Sequence, residues 1–480
     1  MEPICPEQCG FRSGKSTLQQ IATLNEDVIQ FTARFGKPPT LAFLDIAKAY
    51  DCVDRAILWR ALRARGIPFA LMKALECLFD HNSLQVVHNG RLSTEIHPES
   101  GLLQGSCLSP ILYSVYIDGI VEAIRANDNV LVYLFADDIA LLTPNREVMQ
   151  RALKRAEAFS YSYRFRFSPT KCIVLEDEQT EPITIYQQPI PEQPTFKYLG
   201  VLFTNRGVDW EAQFKRSAQQ QRGLLNSFTS IGFHPRGFLP KTAEMVIKSF
   251  LRPVGEYALA IAPGKECYLR PLQQVQNETL RRMFGVGKTT STPGMHLLAD
   301  IPLIRDRHDA LKSAFVANVQ RQPPNSRVLK AFRQSQEKWI KDSCFNDIAS
   351  LQLYRNYANW CRYIPHTQWN QLLAVWRSRL HQEQRLRLRT SYIRGGAFSQ
   401  CVNLFTDLSH CRPSVARSIH RWVLGQLPHY PSGCRGCGAE RIGQRHVLEC
   451  LHINPDLAIS LGFYELAALA LRRMEGFLIA

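Results

Sequence analysis

The sequence predicts an α/β or α+β domain that is followed by mostly helical regions. From Thr40 to about Phe203, short apolar runs alternate with amphipathic helical stretches, a pattern typical of a sheet packed against helices. After about Asn205 the apolar residues recur at helical spacing, and the stretch 325–425 is helical in pattern and strongly basic. With 480 residues, the chain is long enough for about two or three domains, each with its own core.

The charge balance favours a polyanionic partner. Lys and Arg total 58 against 42 Asp and Glu, which gives a net charge of +16. A surplus of this size is typical of proteins that bind nucleic acid, although a basic surface without such a partner is the alternative. The sequence has no apolar run of about eighteen residues, and no apolar signal segment at its start. Its 14 cysteines occur mostly singly, which suits the reduced thiols of an intracellular protein.

The first element to explain is QCGFRSGKST, which has several residues of a phosphate-binding P-loop. A P-loop requires G-x-x-x-x-G-K-[ST] directly after a buried strand. Here Gly10 and Gly14 are separated by only three residues, and the preceding MEPICPEQ contains two prolines. The sequence therefore favours a loop that leads into the helix TLQQIATLNEDVIQFTARFG, capped by Ser16 or Thr17. An NTPase built on GKS is the remaining alternative, and loss of ATP turnover in Lys15→Ala would support it.

Two acidic positions follow apolar strands. LAFLDI predicts a buried strand that ends near Asp45, and VLVYLF and IALLT predict a hairpin whose turn contains Asp137 and Asp138. Adjacent carboxylates at about 4 Å repel by roughly 1 kcal/mol in water and about 4 kcal/mol near a protein surface. A hairpin that only turns would favour Asn-Gly or Asp-Gly, whereas hard divalent cations would relieve the repulsion. Together the three carboxylates could hold two metal ions that activate a 3′-hydroxyl, and the alternatives are a cap and a solvated turn.

Seven patterns, two of which contain these acids, give the acids a specific context. F-A-D-D in an apolar hairpin resembles the C motif of reverse transcriptases, and LAFLDIAKAYDCVDR resembles the A motif of the enzymes of non-LTR (LINE-type) retrotransposons. SGLLQGSCLSPILYSVYIDGI resembles their B motif, SPTKC the D motif and FKYLGVLF the E motif, all in the family's order. QCGFRSGKST resembles the Q-x-GFR-x-x-x-ST element that precedes the A motif. VQNETLRRMFGVGKTTSTPGMHLLADIPLIRDR is similar to the thumb region, so the resemblance covers Gln8 to about Arg307.

The resemblance implies an α+β fold with a right-hand polymerase palm, in which helices pack on a ferredoxin- or RRM-like antiparallel sheet. A helical thumb, a helical basic C-terminal region and a small zinc knuckle are expected to follow. The boundaries expected are a reverse transcriptase domain at 1–204 (partial fingers 1–40 and palm 41–204), a thumb at 205–305, a basic connecting region at 306–428, a knuckle at 429–455 and a final helix at 456–480.

The resemblance also implies the activity of an RNA-directed DNA polymerase. Two Mg²⁺ ions would be held by Asp45, Asp137 and Asp138, with the Ile46 carbonyl completing one of the sites. dNTPs would be added to the 3′-hydroxyl of a DNA primer on an RNA template. Lys171 would be the general acid for pyrophosphate, and the alternative is an exposed loop lysine.

Substrate selection is assigned by the same resemblance. Tyr50 occupies the position of an aromatic steric gate against a ribose 2′-hydroxyl, and a core aromatic is the alternative. Gln104 and Gly105 would line the nucleotide and template side, unless they only form a tight turn. Template and primer contacts are expected from Arg12 and Lys15, which are otherwise solvated charges, and from the primer-gripping Tyr198, Leu199 and Gly200. An RNA-dependent RNA polymerase shares the two acidic motifs, but the tyrosine gate and the B motif argue against it.

The C-terminal region contains the pattern C-x2-C-x8-H-x3-C. Its spacing suits a tetrahedral Zn²⁺ site, and the pattern resembles the zinc knuckle that follows the polymerase domain in many LINE proteins. Nearby arginines suit RNA contact, and a chance grouping is the alternative. The predicted ligands are Cys434, Cys437, His446 and Cys450.

One family element is expected but not found in the sequence. Upstream of Q-x-GFR, the family has fingers strands with an arginine that contacts the nucleotide triphosphate, and this chain begins almost at the later element. We therefore expect an N-terminally truncated enzyme of intracellular, and by resemblance nuclear, location. A catalytically silent nucleic-acid-binding remnant of the same element is the alternative.

Overall fold

The structure of the protein is a computed structural model. It describes residues 4–126, 128–176, 181–235 and 237–337, together with scattered residues between 340 and 450. The chain divides into two compact units. The first comprises Met1–Asp209 and Asn318–Asn346, and the second comprises Trp210–Ala317 and Asp347–Ala480.

The N-terminal part of the first unit alternates helices and short strands, as the sequence predicts. In chain order these are α1 Thr17–Phe35, β1 Thr40–Leu44, α2 Arg55–Ala64, α3 Phe69–Asp80, β2 Val87–His88, β3 Arg91–Leu92, α4 Ser109–Ile117, α5 Ile120–Arg125, β4 Leu131–Phe135, β5 Asp138–Thr143, α6 Arg146–Ser162, β6 Ile173–Leu175, β7 Thr184–Ile185, β8 Gln188–Pro189, β9 Phe196–Tyr198, β10 Val201–Thr204 and β11 Gly207–Val208.

The described part of the second unit is helical. Its elements are α7 Trp210–Ser230, α8 Pro240–Val246, a π-helical turn Ile247–Leu251, α9 Arg252–Glu256, α10 Glu266–Phe284, α11 Thr292–Ala299 and α12 Ile304–Gln320. A last helix, α13 Arg327–Glu337, belongs again to the first unit.

An antiparallel sheet with the strand order β4-β5-β1-β6 lies at the centre of the first unit. Helices connect β1 to β4 and β5 to β6, whereas β4 and β5 form a hairpin, so the sheet has the order of a split βαβ fold. Every residue of β1 is buried, which agrees with the continuous apolar run that predicts this strand.

Both faces of the sheet are covered. Ala42 and Leu44 belong to a large core cluster with residues of α2 and α4–α6. Phe43 points to the other face, where its ring centroid lies 4.7 Å from that of Phe196 and 5.1 Å from that of Tyr198. The second face is therefore packed against the small sheet β9–β11, which fixes the position of the hairpin that resembles the E motif.

Helix α1 begins and ends where the sequence predicts. Ser16 is its N-cap, with a side chain that accepts a hydrogen bond from the Gln19 N–H at 3.3 Å. Gly36 ends the helix in the left-handed conformation with a φ of 72°, which glycine adopts without a Cβ clash. The GKS residues thus belong to the loop and cap before a helix, and the segment before them has the turns and single bridge of a loop rather than a strand.

Helix α1 also packs against residues of the segment 318–346, which belongs to the first unit. The Arg327 guanidinium pairs with Asp27 at 2.8 Å and lies 4.4 Å from the ring centroid of Tyr133 in β4. Buried Glu26 accepts hydrogen bonds from the Ser343 hydroxyl and the Cys344 N–H. The return of residues 318–346 to α1 is a long-range contact that the local sequence pattern does not signal.

Among the helices that the structure describes, none is long and apolar enough to cross a membrane.

Candidate active site

The register of β1 and β5 brings the first two acidic positions together. The last paired residues are Leu44 and Ile139, so in this antiparallel ladder the next position places Asp45 beside Asp138. Asp138 is also the first residue of β5 and pairs with Phe135 across the hairpin. The acids predicted from separate motifs therefore meet at one end of the central sheet.

A two-residue turn, Ala136–Asp137, joins β4 to β5 and supplies the third carboxylate. Asp137 is half-buried, and desolvation followed by the charge of Asp45 raises its pKa. The pKa of Asp138 is raised to about 6, first by desolvation and then by the charges of Asp137 and Asp45. Asp138 is nevertheless exposed at the start of β5, beside the two other carboxylates.

The loop that resembles the D motif holds Asp45 from the other side. The Ser168 N–H donates to the Asp45 carbonyl at 2.8 Å, and the Asp45 N–H donates to the Cys172 sulfur at 3.4 Å. The exposed Lys171 has its Nζ 3.6 Å from Asp45 Oδ2. In the part of the chain that the structure describes, this buried Oδ2 atom has no hydrogen-bond partner. An oxygen with an unused acceptor site is available to a cation.

The chemistry of this acidic group fits a hard divalent cation, because all three donors are carboxylates and their mutual repulsion would be relieved by positive charge. The three carboxylates lie close together, but they are not arranged around one position that a single metal ion could occupy. Within the described residues, no three His, Cys, Asp or Glu side chains are arranged to hold one metal ion. The fit to a metal therefore rests on donor type, proximity and the unused oxygen of Asp45.

Ile46 follows Asp45 and forms an antiparallel bridge with Phe167. The flanking residues make the hydrogen bonds of this bridge, through the Ala47 N–H to the Arg166 carbonyl and the Ser168 N–H to the Asp45 carbonyl. The Ile46 carbonyl consequently faces away from Phe167. Its side chain is buried in the core.

Tyr50 lies against the acidic group. Desolvation, followed by the charge of Asp137, raises its pKa. Its ring stacks on that of Tyr113 with centroids 4.9 Å apart and an interplanar angle of 23°. Tyr113 is buried in α4, within the segment that resembles the B motif. The two positions assigned to different motifs thus form one aromatic pair beside Asp137.

The start of the same segment contacts the loop after β1. The exposed Gln104 donates from Nε2 to Asp51 Oδ1 at 3.1 Å, and the Leu102 N–H donates to the Tyr50 carbonyl at 2.9 Å. Gly105 is exposed and has a φ of 93°, a left-handed value that favours glycine. These residues form an open turn whose Gln104 amide is tied to the loop of Tyr50.

The positive residues of the opening stretch have different surroundings. The Arg12 guanidinium donates to the Cys5 carbonyl at 2.8 Å and to the Gln8 carbonyl at 3.3 Å, so part of its donor capacity is used inside the loop. Lys15 is half-buried and lines a small cavity with Glu7 and Cys9. Neither arrangement tests a contact with template or nucleotide.

Sequence reasoning missed Gln8, which contacts the acidic turn directly. Its side chain is fully buried and forms hydrogen bonds with both the N–H and the carbonyl of Ala136. The sequence signal for this contact is the Q-x-G pattern of Gln8 and Gly10. Glycine is the usual residue where another segment of backbone approaches closely.

In the hairpin of β9 and β10, the turn residues are accessible to solvent, whereas the strand residue Tyr198 is buried. Tyr198 is buried against Phe43, whereas Leu199 and Gly200 form the two-residue turn with φ values of 45° and 88°. Two successive left-handed residues are typical of a type I′ hairpin turn. Of the predicted primer-gripping residues, the turn pair is the more accessible.

The predicted zinc ligands Cys434, Cys437 and His446 lie outside the described residues. Cys450 is described as half-buried and is not in a disulfide.

The comparison with protein families concerns the region that contains the three carboxylates. Residues 1–203 match the family model described as "Reverse transcriptase (RNA-dependent DNA polymerase)". This part of the chain is therefore similar to reverse transcriptase domains. The match covers β1, the acidic hairpin and the E-motif hairpin up to Phe203. It supports the predicted family for this part of the chain.

Curated relatives of this chain include proteins of non-LTR retrotransposable elements. The "Retrovirus-related Pol polyprotein from type-1 retrotransposable element R2" of Popillia japonica is 25% identical over 304 residues, which cover 58% of this chain and 48% of that protein. The "Probable RNA-directed DNA polymerase from transposon X-element" of Drosophila melanogaster is 24% identical over 303 residues, covering 59% and 32%. The chain spans about half or less of the length of these relatives.

Solved structures with distant likeness include two telomerases. Apo telomerase from Candida tropicalis has a TM-score of 0.37 and 10% identity, covering 75% of this chain and 58% of that chain. Telomerase from Candida albicans in complex with the TWJ fragment of telomeric RNA has a TM-score of 0.36 and 11% identity, covering 75% and 56%.

Proposed function

We propose that the chain is an RNA-directed DNA polymerase of the non-LTR retrotransposon type, which adds dNTPs to a primer 3′-hydroxyl on an RNA template. The observation that carries the proposal is the juxtaposition of Asp45, Asp137 and Asp138 at one end of the central sheet, inside the region that matches the reverse transcriptase family. In this proposal the sheet and its helices are the polymerase palm, and the helices α7–α11 are the thumb.

The three carboxylates would hold two Mg²⁺ ions, with Asp45 offering an Oδ2 atom that accepts no hydrogen bond in the described residues. Bound Mg²⁺ would supply Lewis-acid stabilisation of the attacking and leaving oxygens. Lys171 would donate a proton to the leaving pyrophosphate, because its ammonium group lies beside Asp45 on an exposed, movable side chain. With Asp45 Oδ2 bound to a cation, the Lys171 ammonium group would be free to turn towards the nucleotide.

The aromatic pair would select the sugar. Tyr50 would present its ring edge to the 2′ position of an incoming nucleotide, and Tyr113 supports that ring from behind. Gln104 would line the same pocket, held by Asp51. Template and primer would contact the basic surface, with Arg12 and Lys15 on the template side and the Leu199–Gly200 turn on the primer side.

Primer extension with purified chain, primed RNA template, dNTPs and Mg²⁺ tests the proposal. We expect the double variant Asp137→Ala, Asp138→Ala to lose about 100-fold or more of the extension rate. Metal ions contribute several kcal/mol of transition-state stabilisation, and each 1.4 kcal/mol changes the rate about tenfold. The control is Glu147→Ala, Glu181→Ala, which removes two exposed carboxylates outside the proposed site.

Equal extension by the two double variants would contradict the metal assignment. If the wild-type chain does not extend the primer but binds primed RNA equally with and without Mg²⁺, the silent nucleic-acid-binding remnant becomes the better description. That outcome would agree with the absence, among the described residues, of a three-ligand arrangement around one ion.

We also propose that Cys434, Cys437, His446 and Cys450 bind one structural Zn²⁺. The support is the ligand spacing in the sequence. Elemental analysis of purified chain should find about one zinc per molecule, and Cys437→Ser should lose it. Zinc that is retained by Cys437→Ser would contradict this ligand set.

A further inference from the structure

The turn Ala136–Asp137 is hydrogen-bonded to Gln8, a residue of the opening stretch QCGFRSGKST. Gln8 is fully buried, which is uncommon for this residue type unless its amide is satisfied. Its Oε1 atom accepts hydrogen bonds from the Ala136 N–H at 2.9 Å and the Gly10 N–H at 2.8 Å. Its Nε2 atom donates to the Ala136 carbonyl at 3.3 Å. One side chain therefore holds both backbone polar groups of the first turn residue.

The backbone on either side of Gln8 is fixed to β4. The Cys9 N–H donates to the Leu134 carbonyl at 2.8 Å, and the Leu134 N–H donates to the Glu7 carbonyl at 3.3 Å. Gly10 then approaches the turn so closely that a Cβ atom would lie 2.3 Å from the Ala136 nitrogen. Only glycine permits this distance without a shift of backbone, so the contact is specific for the Q-x-G spacing.

The turn needs support from outside the hairpin. Ala136 has a φ of 57°, a left-handed value that residues with a Cβ adopt at a cost. Two-residue hairpin turns favour Asn-Gly, Asp-Gly or a leading glycine, and this one is Ala-Asp. The turn also brings Asp137 and Asp138 together against their mutual repulsion. Neither the backbone preference nor the charges favour the observed conformation, whereas the Gln8 hydrogen bonds do.

We propose that Gln8 is a positioning residue of the polymerase site, which sets the places of Asp137 and Asp138 through the backbone of Ala136. The role rests on the proposed function, because it assigns to the turn the task of holding catalytic metal ions. Gln8 itself contacts neither metal nor nucleotide in this assignment. Residues that orient metal ligands in this way typically change metal affinity or activity by about 10–100-fold when they are replaced.

The first test needs no activity. Amide hydrogen exchange is measured on the full chain, comparing wild type with Gln8→Met, which keeps the length of the side chain and removes its hydrogen bonds. We expect the Ala136 amide and its neighbours in the turn to exchange at least about tenfold faster, while exchange in α6 and α10 is unchanged. Gln276→Met is the matched control, because Gln276 is equally buried and donates to the Pro302 carbonyl at 2.8 Å in the second unit.

The second test measures the metal directly. Mn²⁺ binding to the full chain is followed by electron paramagnetic resonance, together with the Mg²⁺ concentration needed for half-maximal primer extension. Gln8→Met is expected to lower the affinity for Mn²⁺ by about 10–100-fold and to raise the required Mg²⁺ concentration by a similar factor. Saturating metal should restore part of the extension rate. Gly10→Ala is the second variant, because its Cβ would lie 2.3 Å from the Ala136 nitrogen, and the resulting displacement of the turn should also weaken metal binding.

The outcomes separate the positioning role from its alternatives. Equal loss of metal affinity in Gln8→Met and Gln276→Met would mean a general packing role and would overturn the proposal. Unchanged exchange and unchanged Mn²⁺ affinity in Gln8→Met would overturn it as well. If wild type binds no more Mn²⁺ than Asp137→Ala, the proposed function is contradicted, and so is the role of Gln8 in positioning metal ligands. In that case, hydrogen exchange alone would decide whether Gln8 holds the turn.

Discussion

At the scale of single residues, the pair of Tyr50 and Tyr113 connects two motifs that the sequence presents separately. The rings stack with a centroid distance of 4.9 Å, and Tyr113 is almost completely buried. A buried ring in a close-packed core has little room to move, so it limits the orientations that Tyr50 can adopt. The orientation of the Tyr50 ring is therefore set by α4 as well as by the loop that carries Tyr50.

We predict that Tyr50→Val lowers the preference for dNTPs over NTPs by about tenfold or more, because a smaller side chain leaves room for the 2′-hydroxyl. Tyr113→Leu should lower the preference by less, since Tyr50 keeps its bulk but loses its support. The preference is measured as the ratio of kcat/KM values in primer extension. Tyr161→Val, which changes an exposed tyrosine, is the control. A parallel loss with both nucleotides would mean that Tyr50 is a core aromatic only.

At the scale of elements, α1 carries a buried carboxylate, Glu26, that is hydrogen-bonded to Ser343 and Cys344. Glu26 is fully buried, and burial raises its pKa to about 7 despite hydrogen bonds from the Cys344 N–H and the Ser343 hydroxyl. Neighbouring Asp27 adds to the shift. The folded chain thus binds a proton at Glu26 more tightly than the unfolded chain does.

The sign of the pH dependence follows from this shift. Because the pKa is raised in the folded state, the contribution of Glu26 is most favourable below its ordinary value of 4.5 and is lost as the pH rises through about 7. We predict that Glu26→Gln stabilises the protein above pH 7, by on the order of 2 kcal/mol, and that the gain disappears near pH 4.

Urea unfolding of the first unit between pH 4 and pH 8.5 measures this difference. Asp209→Asn serves as the control for removal of a charge elsewhere in the same unit. A gain that does not depend on pH would show that Glu26 stays ionised in the folded protein.

The strands, the acidic hairpin and the caps of α1 could be predicted because their signals are local. The apolar run Leu41–Ile46, the paired acids after VLVYLF, and Ser16 and Gly36 at the ends of α1 each carry a pattern within a few residues. The register that places Asp45 beside Asp138 could be anticipated only through the order of the motifs.

The remaining features depend on partners far apart in the chain. Gln8 and Ala136 are 128 residues apart, and no periodicity marks a glutamine that supports a distant turn. Tyr198 belongs to a predicted primer-contacting motif, yet its alternation in β9 directs it into the aromatic cluster of Phe43. Periodicity can indicate which face of a strand is buried, but not which other element covers that face.

At the scale of the whole molecule, the net charge of +16 should govern binding to nucleic acid. We predict that affinity for primed RNA falls by at least about 30-fold between 50 and 200 mM salt, as is usual for proteins that make several phosphate contacts. Lys15→Ala should reduce the slope of log affinity against log salt by about 0.7–0.9, as expected for one lost phosphate contact. Fluorescence anisotropy measures both quantities.

Lys37→Ala is the matched control, because Lys37 is exposed beyond the other end of α1. An equal slope for Lys15→Ala and wild type would identify Lys15 as solvated surface charge. ATP turnover that disappears in Lys15→Ala would instead revive the NTPase alternative.

The route of the chain through the first unit has a consequence for synthesis on the ribosome. Glu26 meets Ser343 after an interval of 317 residues, and the helices α7–α11 are made entirely within that interval. The face of α1 that carries Glu26 therefore lacks its contacts with residues 343 and 344 until residues 210–317 of the second unit have been made. A nascent chain that already has its acidic hairpin and its sequence motifs therefore still lacks the hydrogen bonds that Ser343 and Cys344 donate to Glu26.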